Sequence, residues 1–336
     1  MSVLAALALS SLTVAAPGDA PMTLVTDHGV ELQANERVFL LFAALNAAGY
    51  AEEPKRKGPP LNAPVFHPIR EEVRDALRND RARNALGDVR AVFEKNPEPI
   101  AVYIEAVLGR TEGSPAPRGT AKALADALAP IERFREEATV EAVFDKLVEA
   151  QRAHMKELEA ALEKDFEQVR AILGDEAFRA PVELVVVPNP LDGHGLVRKL
   201  DFDGKTYLVV GPGTEAARRD VLVEALRPSV RAMVQDAYAA RGRLADSWNS
   251  LKTSKRITSK WADAQAYLTD ALTHAVAHRA AATVDGRAGR DADEAFIDAQ
   301  AKDGMRWARI AMRMLDEHDD GKLSEALPKL VRSASR

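Results

Sequence analysis

Hydrophobic and polar positions along this chain follow two periods, and the shorter one is confined to a few places. Val182–Pro188 (VELVVVP) and Lys205–Gly211 (KTYLVVG) are β-branched runs bounded by Gly, Pro and Asn, which predicts two strands joined through the loop Asn189–Gly195. Met22–Gln33 alternates weakly and reads as strand, with a turn at Asp27-His28-Gly29. Elsewhere apolar residues recur at about 3.6 residues, the period of a helix with one buried face.

The helical segments can be taken in order. Asn35 suits the N-cap of a helix over Glu36–Ala48, whose Val38, Phe39, Leu41, Phe42 and Leu45 make it nearly all core. Further helices are predicted over Ile69–Arg78, Arg81–Phe93, Pro99–Leu108 and Ala121–Ala129. A long one over Thr139–Leu173 carries Val143, Leu147, Met155, Leu158, Leu162, Phe166 and Val169 on one stripe and stops at Gly174. After the turn Pro212-Gly213-Thr214 comes a helix with Leu222, Leu226, Val230, Met233, Val234 and Ala237 inward, and Pro228 should kink it just after Arg227. The last helices are predicted over Ile257–Ala282, with Ile257, Trp261, Leu268, Leu272, Val276 and Ala280 inward, over Ala295–Leu315, and briefly beyond the turn Asp316–Gly321. Glu53–Pro64, Gly109–Gly119 and Arg287–Asp293 read as loops. No internal repeat is evident. The pattern predicts an α+β fold: a mainly helical N-terminal portion over residues 21–175 packed on a small mixed sheet, then a core over 176–336.

At 336 residues the chain is long enough to bury a sizeable core, and 46% hydrophobic with 29% charged residues is an ordinary globular balance. A net charge of −5 gives no reason to expect nucleic acid or an anionic membrane as partner. The absence of cysteine excludes disulfides, thiolate metal sites and cysteine catalysis. Val3–Ala16 (VLAALALSSLTVAA) is an apolar run of signal-peptide length followed by small residues, although the first basic residue is Arg37. It predicts a cleaved signal over residues 1–20, an exported protein, periplasmic or extracellular, and no transmembrane anchor. A buried N-terminal helix in a cytoplasmic protein is the alternative.

The strand pair, its Gly/Pro turn into a helix, and a second amphipathic helix with an acidic residue about forty residues later resemble the core of zincin metallopeptidases, specifically a bacterial family of gluzincin-like domains. In that family His-Glu-x-x-His lies on the first helix: two ligands share a helix face and the Glu activates a metal-bound water. Laid onto this chain, the motif falls on Val223-Glu224-Ala225-Leu226-Arg227, and the third ligand position falls on Asp270. Only the Glu survives. The resemblance implies two helices framing a zincin-like cleft, with Glu224 at the general-base position and an edge strand over Tyr207–Val210 able to hold extended peptide by strand addition.

Val223 has no lone pair and Arg227 does not deprotonate, so a catalytic zinc site, which needs three protein ligands, is not expected and no cofactor is anticipated. The sequence therefore points to a catalytically inactive metallopeptidase homologue with a binding or scaffold role toward a peptide or protein, with Tyr207, Val209, Arg227 and Asp270 as cleft candidates. An alternative is a metal-dependent hydrolase with displaced zinc: His274 and His278 are spaced i, i+4, and Asp270 lies one turn before His274, so Asp270, His274 and Glu224 could be drawn as ligands. His28, His67, His154, His194 and His318 are scattered and carry no assigned role. Asp316-x-His318-x-Asp320-Gly321 begins like a calcium loop but has Leu327 where a bidentate Glu is required. No nucleophile elbow or phosphate-binding glycine loop occurs.

Overall fold

The computed structural model describes residues 22–50, 68–110, 116–239 and 260–318, together with Leu323 and Leu327. The expected signal segment, the Glu53–Pro64 loop, Ile257 and the end of the calcium-like turn lie outside the described residues.

The fold is α+β. A five-stranded mixed sheet in the order β1-β2-β3-β5-β4 is accompanied by helices. The strands are β1 (Met22–Val25), β2 (Val30–Ala34), β3 (Leu184–Pro188), β4 (Val197–Phe202) and β5 (Lys205–Val210). β1 pairs antiparallel with β2, β2 and β5 run parallel to β3, and β4 returns antiparallel along β5. The five residues of β3 are all buried, as an uninterrupted apolar run in a parallel ladder requires.

Two compact units divide the chain. The first holds the chain up to Thr26, Val30–Glu157 and Leu184–Ala217, and therefore the whole sheet; the second holds Asp27–Gly29, Leu158–Glu183 and Arg218–Arg336. In the first unit, α1 (Glu36–Ala47) is capped by Asn35, whose side chain accepts from the Val38 N–H at 3.0 Å. Helices α2 (Ile69–Leu77), α3 (Arg83–Lys95), α4 (Ile100–Leu108), α5 (Gly119–Ala127) and α6 (Ala129–Ala138) share one apolar core with α1 and with the sheet residues Val185, Val187, Leu200, Phe202 and Val209. Helix α7 (Val140–Leu173) and helix α8 (Thr214–Ala239) each run from the first unit into the second. In the second unit follow α9 (Ala264–Val284), α10 (Arg290–Lys302) and α11 (Ala308–Glu317).

Several elements depart from the sequence expectations, each for a local reason. β4 was not expected, because its polar Lys199 and Asp201 alternate with Leu200 and Phe202 too weakly to read as a strand. Its signal was the two-residue turn Asp203-Gly204, where both residues have positive φ (53° and 74°), as a tight hairpin needs. α6 was also missed; it starts with Pro130 in its first turn and ends on Thr139 in the left-handed conformation. The helix expected over Ile257–Ala282 is broken at residues 261–263: a new helix, α9, starts at Ala264, where the Asp263 carboxylate accepts from the Ala266 N–H, so Trp261 lies outside it. The expected Arg287–Asp293 loop is shortened by α10, whose first turn holds Asp291 and Asp293 at the positive end of the helix dipole. The single helix expected over Ala295–Leu315 is two, interrupted at Gly304 (φ 94°), where the Met305 N–H returns to the Gln300 carbonyl in a glycine C-terminal turn. α8 holds Pro228 in its interior, as expected, and the proline ring nitrogen has no N–H to give to the helix.

The sheet order also corrects the expected peptide edge. β5 lies between β3 and β4, so the ladder positions of Tyr207–Val210 are occupied on both sides and cannot accept an added strand. Val209 is fully buried and so lines no open cleft, while Tyr207 is half-buried on the same core beside Phe202. The outermost strands are β1 and β4.

Candidate functional site

Helix geometry builds the site. Glu224 and Arg227 stand three residues apart on α8 and so share a face. The Arg227 Nε and Nη2 donate to the two Glu224 carboxylate oxygens, both at 3.2 Å, in a fork-to-fork pairing. Its remaining nitrogen, Nη1, crosses to α9 and donates to Asp270 Oδ1 at 2.5 Å. Asp270 Oδ2 is taken by the indole N–H of Trp261 at 2.9 Å. One guanidinium thus joins two carboxylates on different helices, and both oxygens of Asp270 are satisfied.

The surroundings hold this arrangement in place. Trp261 packs edge-on against Tyr267 at 4.7 Å. The Tyr267 hydroxyl donates to the Gly304 carbonyl at 3.0 Å and accepts from the Arg306 N–H at 2.6 Å, tying α9 to the break before α11. The side chains of Glu224 and Asp270 are 12% and 10% exposed, while Arg227 is 33% exposed, so the carboxylates are the desolvated partners and the cation reaches them from the rim.

Burial alone would raise the Asp270 carboxyl, but the Arg227 charge, His274 and the hydrogen bonds from Arg227 and Trp261 outweigh it and hold the pKa below the usual carboxylate value. Burial pulls down the basicity of Arg227, and the Glu224 and Asp270 charges more than restore it. Burial lowers the His274 imidazole, with Asp270 opposing and Arg227 reinforcing the shift.

Of the residues singled out from sequence, Glu224, Arg227, Asp270 and His274 come together: His274 Nε2 is 3.7 Å from Asp270 Oδ1. His278 does not join them. Its Nε2 lies 3.0 Å from Asp293 and its ring stacks on Phe296. Val223, where the resemblance would put the first ligand, is buried in the apolar interior. Tyr207 and Val209 belong to the first unit. Among the described residues no group of three or more His, Asp or Glu is arranged to hold a metal ion. Trp261 is the member that sequence reasoning missed, since it was read as an inward helix residue. The N-cap signal of Asp263 marks it as lying ahead of the helix, where its indole N–H can turn toward Asp270, nine residues on.

Comparison of the chain with protein-family models, with curated proteins and with solved structures finds no match. No helix among the described residues is long and apolar enough to cross a membrane.

Proposed function

We propose that this chain is a non-catalytic, zincin-like protein that works by binding rather than by metal-assisted hydrolysis, and that it is exported. The observation that carries the proposal is the Arg227 guanidinium lying between Glu224 and Asp270. In a zincin the residues at positions 227 and 270 both ligate the metal; here position 227 itself supplies a cation, which holds Glu224 on α8 and reaches Asp270 on α9. A guanidinium offsets the repulsion of two carboxylates as a divalent metal would, but it cannot polarise a carbonyl or lower the pKa of a bound water. The clamp between the helices is kept without the chemistry. The partner in this reading is a peptide or protein; pairing by strand addition would fall to β1 or β4, the outermost strands.

Metal analysis of the purified protein, combined with a casein cleavage assay, tests the proposal. The expected result is no stoichiometric zinc and no cleavage. About one zinc per chain, lost in His274→Ala, would overturn it in favour of a displaced metal site using Asp270, His274 and Glu224.

A further inference from the structure

A cavity of about 310 Å³ opens in the first unit at the carboxyl ends of the parallel strands β3 and β5, where Pro188 and Val210 end. This is the end of a parallel ladder at which open α/β sheets commonly hold ligands, because the chain leaves the strands there and backbone ladders stop competing for the space. Its apolar wall includes Ile69, Leu147, Pro190 and Pro212. Gln151, Asn189, His154 and His194 are the polar side chains that line it.

The cavity is built rather than incidental. The loop from Asn189 to Gly195 is clipped to the turn after β5 by three backbone bonds: Asn189 N–H to the Val210 carbonyl at 2.8 Å, Gly195 N–H to Pro212 at 2.7 Å and Gly211 N–H to Leu196 at 2.8 Å. Within the loop the fully buried Asp192 receives a two-pronged contact from Arg198 at 2.6 and 2.9 Å and accepts from the Gly193 N–H. The charge of Asp192 is thereby spent on the scaffold. Asn189 Oδ1 accepts from the Leu191 N–H at 3.2 Å, which fixes the amide orientation.

Two polar atoms remain over. Asn189 is 3% exposed and its Nδ2, a donor, has no partner among the described residues; Gln151 is 6% exposed and its Oε1, an acceptor, has none among them either. Leaving such groups buried and unpaired is unfavourable, so a site that keeps both is shaped for something that satisfies them. No Lys, Arg, Asp or Glu is among the described residues that line the cavity, so these offer no fixed counter-charge to a carboxylate, a phosphate or an ammonium.

We propose that this cavity is a binding site for a small, uncharged, mainly apolar molecule that carries a hydrogen-bond acceptor and donor side by side, the carboxamide class. The ligand carbonyl would take the Asn189 Nδ2 proton, its N–H would go to Gln151 Oε1, and its apolar body would lie against Leu147, Pro190 and Pro212. The site is independent of the Glu224–Arg227–Asp270 cluster, and its fate does not bear on that reading.

Binding of benzamide to the full chain at pH 8, where an ordinary imidazole is uncharged, tests the proposal by calorimetry or ligand-detected NMR, with benzoate and benzylamine as charged isosteres. Benzamide should bind with a dissociation constant of about 1 mM, and the two charged isosteres about tenfold or more weakly. Gln151→Leu, which keeps the volume and removes the acceptor, should weaken benzamide about tenfold while leaving the melting temperature of the free protein unchanged or higher. Leu147→Phe, which fills the apolar side of the cavity and leaves both amides in place, should abolish binding and serves if Gln151→Leu does not fold. No benzamide binding up to about 10 mM, equal affinity for benzoate, or undiminished binding in either variant would overturn the assignment.

Discussion

Arg227 donates to Asp270 across two helices at 2.5 Å while it holds Glu224 on its own helix at 3.2 Å through two nitrogens. Truncating one member of a fully buried pair costs about 3–5 kcal/mol and an exposed pair is worth about 0–1. With the carboxylates desolvated but the guanidinium a third exposed, Arg227→Ala should cost about 2 kcal/mol. Asp270→Asn added to Arg227→Ala should cost much less than it does alone. Denaturant unfolding of the four proteins of the cycle measures this, and additive losses would show that the contact contributes nothing to the fold.

A second charged cluster in the same unit predicts a pH effect. The Asp165 carboxylate is fully buried, 2.6 Å from Arg218 Nε but not aligned with it as a hydrogen bond, while Arg218 also donates to Asp285 at 2.8 Å. Burial pushes Asp165 up from 3.8 to about 6, against the pull of Arg218 and with a further push from Asp285. A carboxyl whose pKa is higher folded than unfolded stabilises the fold when protonated. That contribution is complete below pH about 4 and is lost as the pH rises through about 6, a change of about 3 kcal/mol at about 1.4 kcal/mol per unit. Asp165→Asn should lack this loss, so its stability relative to the parent should rise between pH 4 and pH 7. Denaturant melts of both proteins across that range decide it, and parallel profiles would mean that Asp165 does not titrate there.

The two glycines that bracket β5 should respond very differently to alanine. A Cβ on Gly211 would lie 2.0 Å from the Gly193 carbonyl oxygen, a backbone atom held by the clipped loop, so Gly211→Ala should cost about 3 kcal/mol or more, or prevent folding. A Cβ on Gly204 would meet open space, and its positive φ of 74° makes Gly204→Ala cost only about 1 kcal/mol. Thermal melts followed by circular dichroism compare the two; equal losses would mean that the close approach at Gly211 relaxes freely.

Elements with a strong local code were fixed by sequence alone. Asn35 before an apolar run gave α1 its start, the β-branched run Leu184–Pro188 gave a buried strand, and Gly174 (φ 63°) ended the 34-residue α7 where a left-handed residue was needed. Helical spacing was enough to place Glu224 beside Arg227, because i, i+3 neighbours meet whatever surrounds them. What remained was decided by contacts between segments distant in sequence. The position of β5 inside the sheet depends on β4, whose mixed polarity carries little pattern of its own, so the expected peptide edge was misplaced. Trp261 reaches Asp270 only because Asp263 starts α9 late enough to free the indole from the helix. Asn189 and Gln151, separated by 38 positions in the chain, line one cavity because the loop after β3 is clipped to the turn after β5, and two such amides leave no periodicity for a sequence to show.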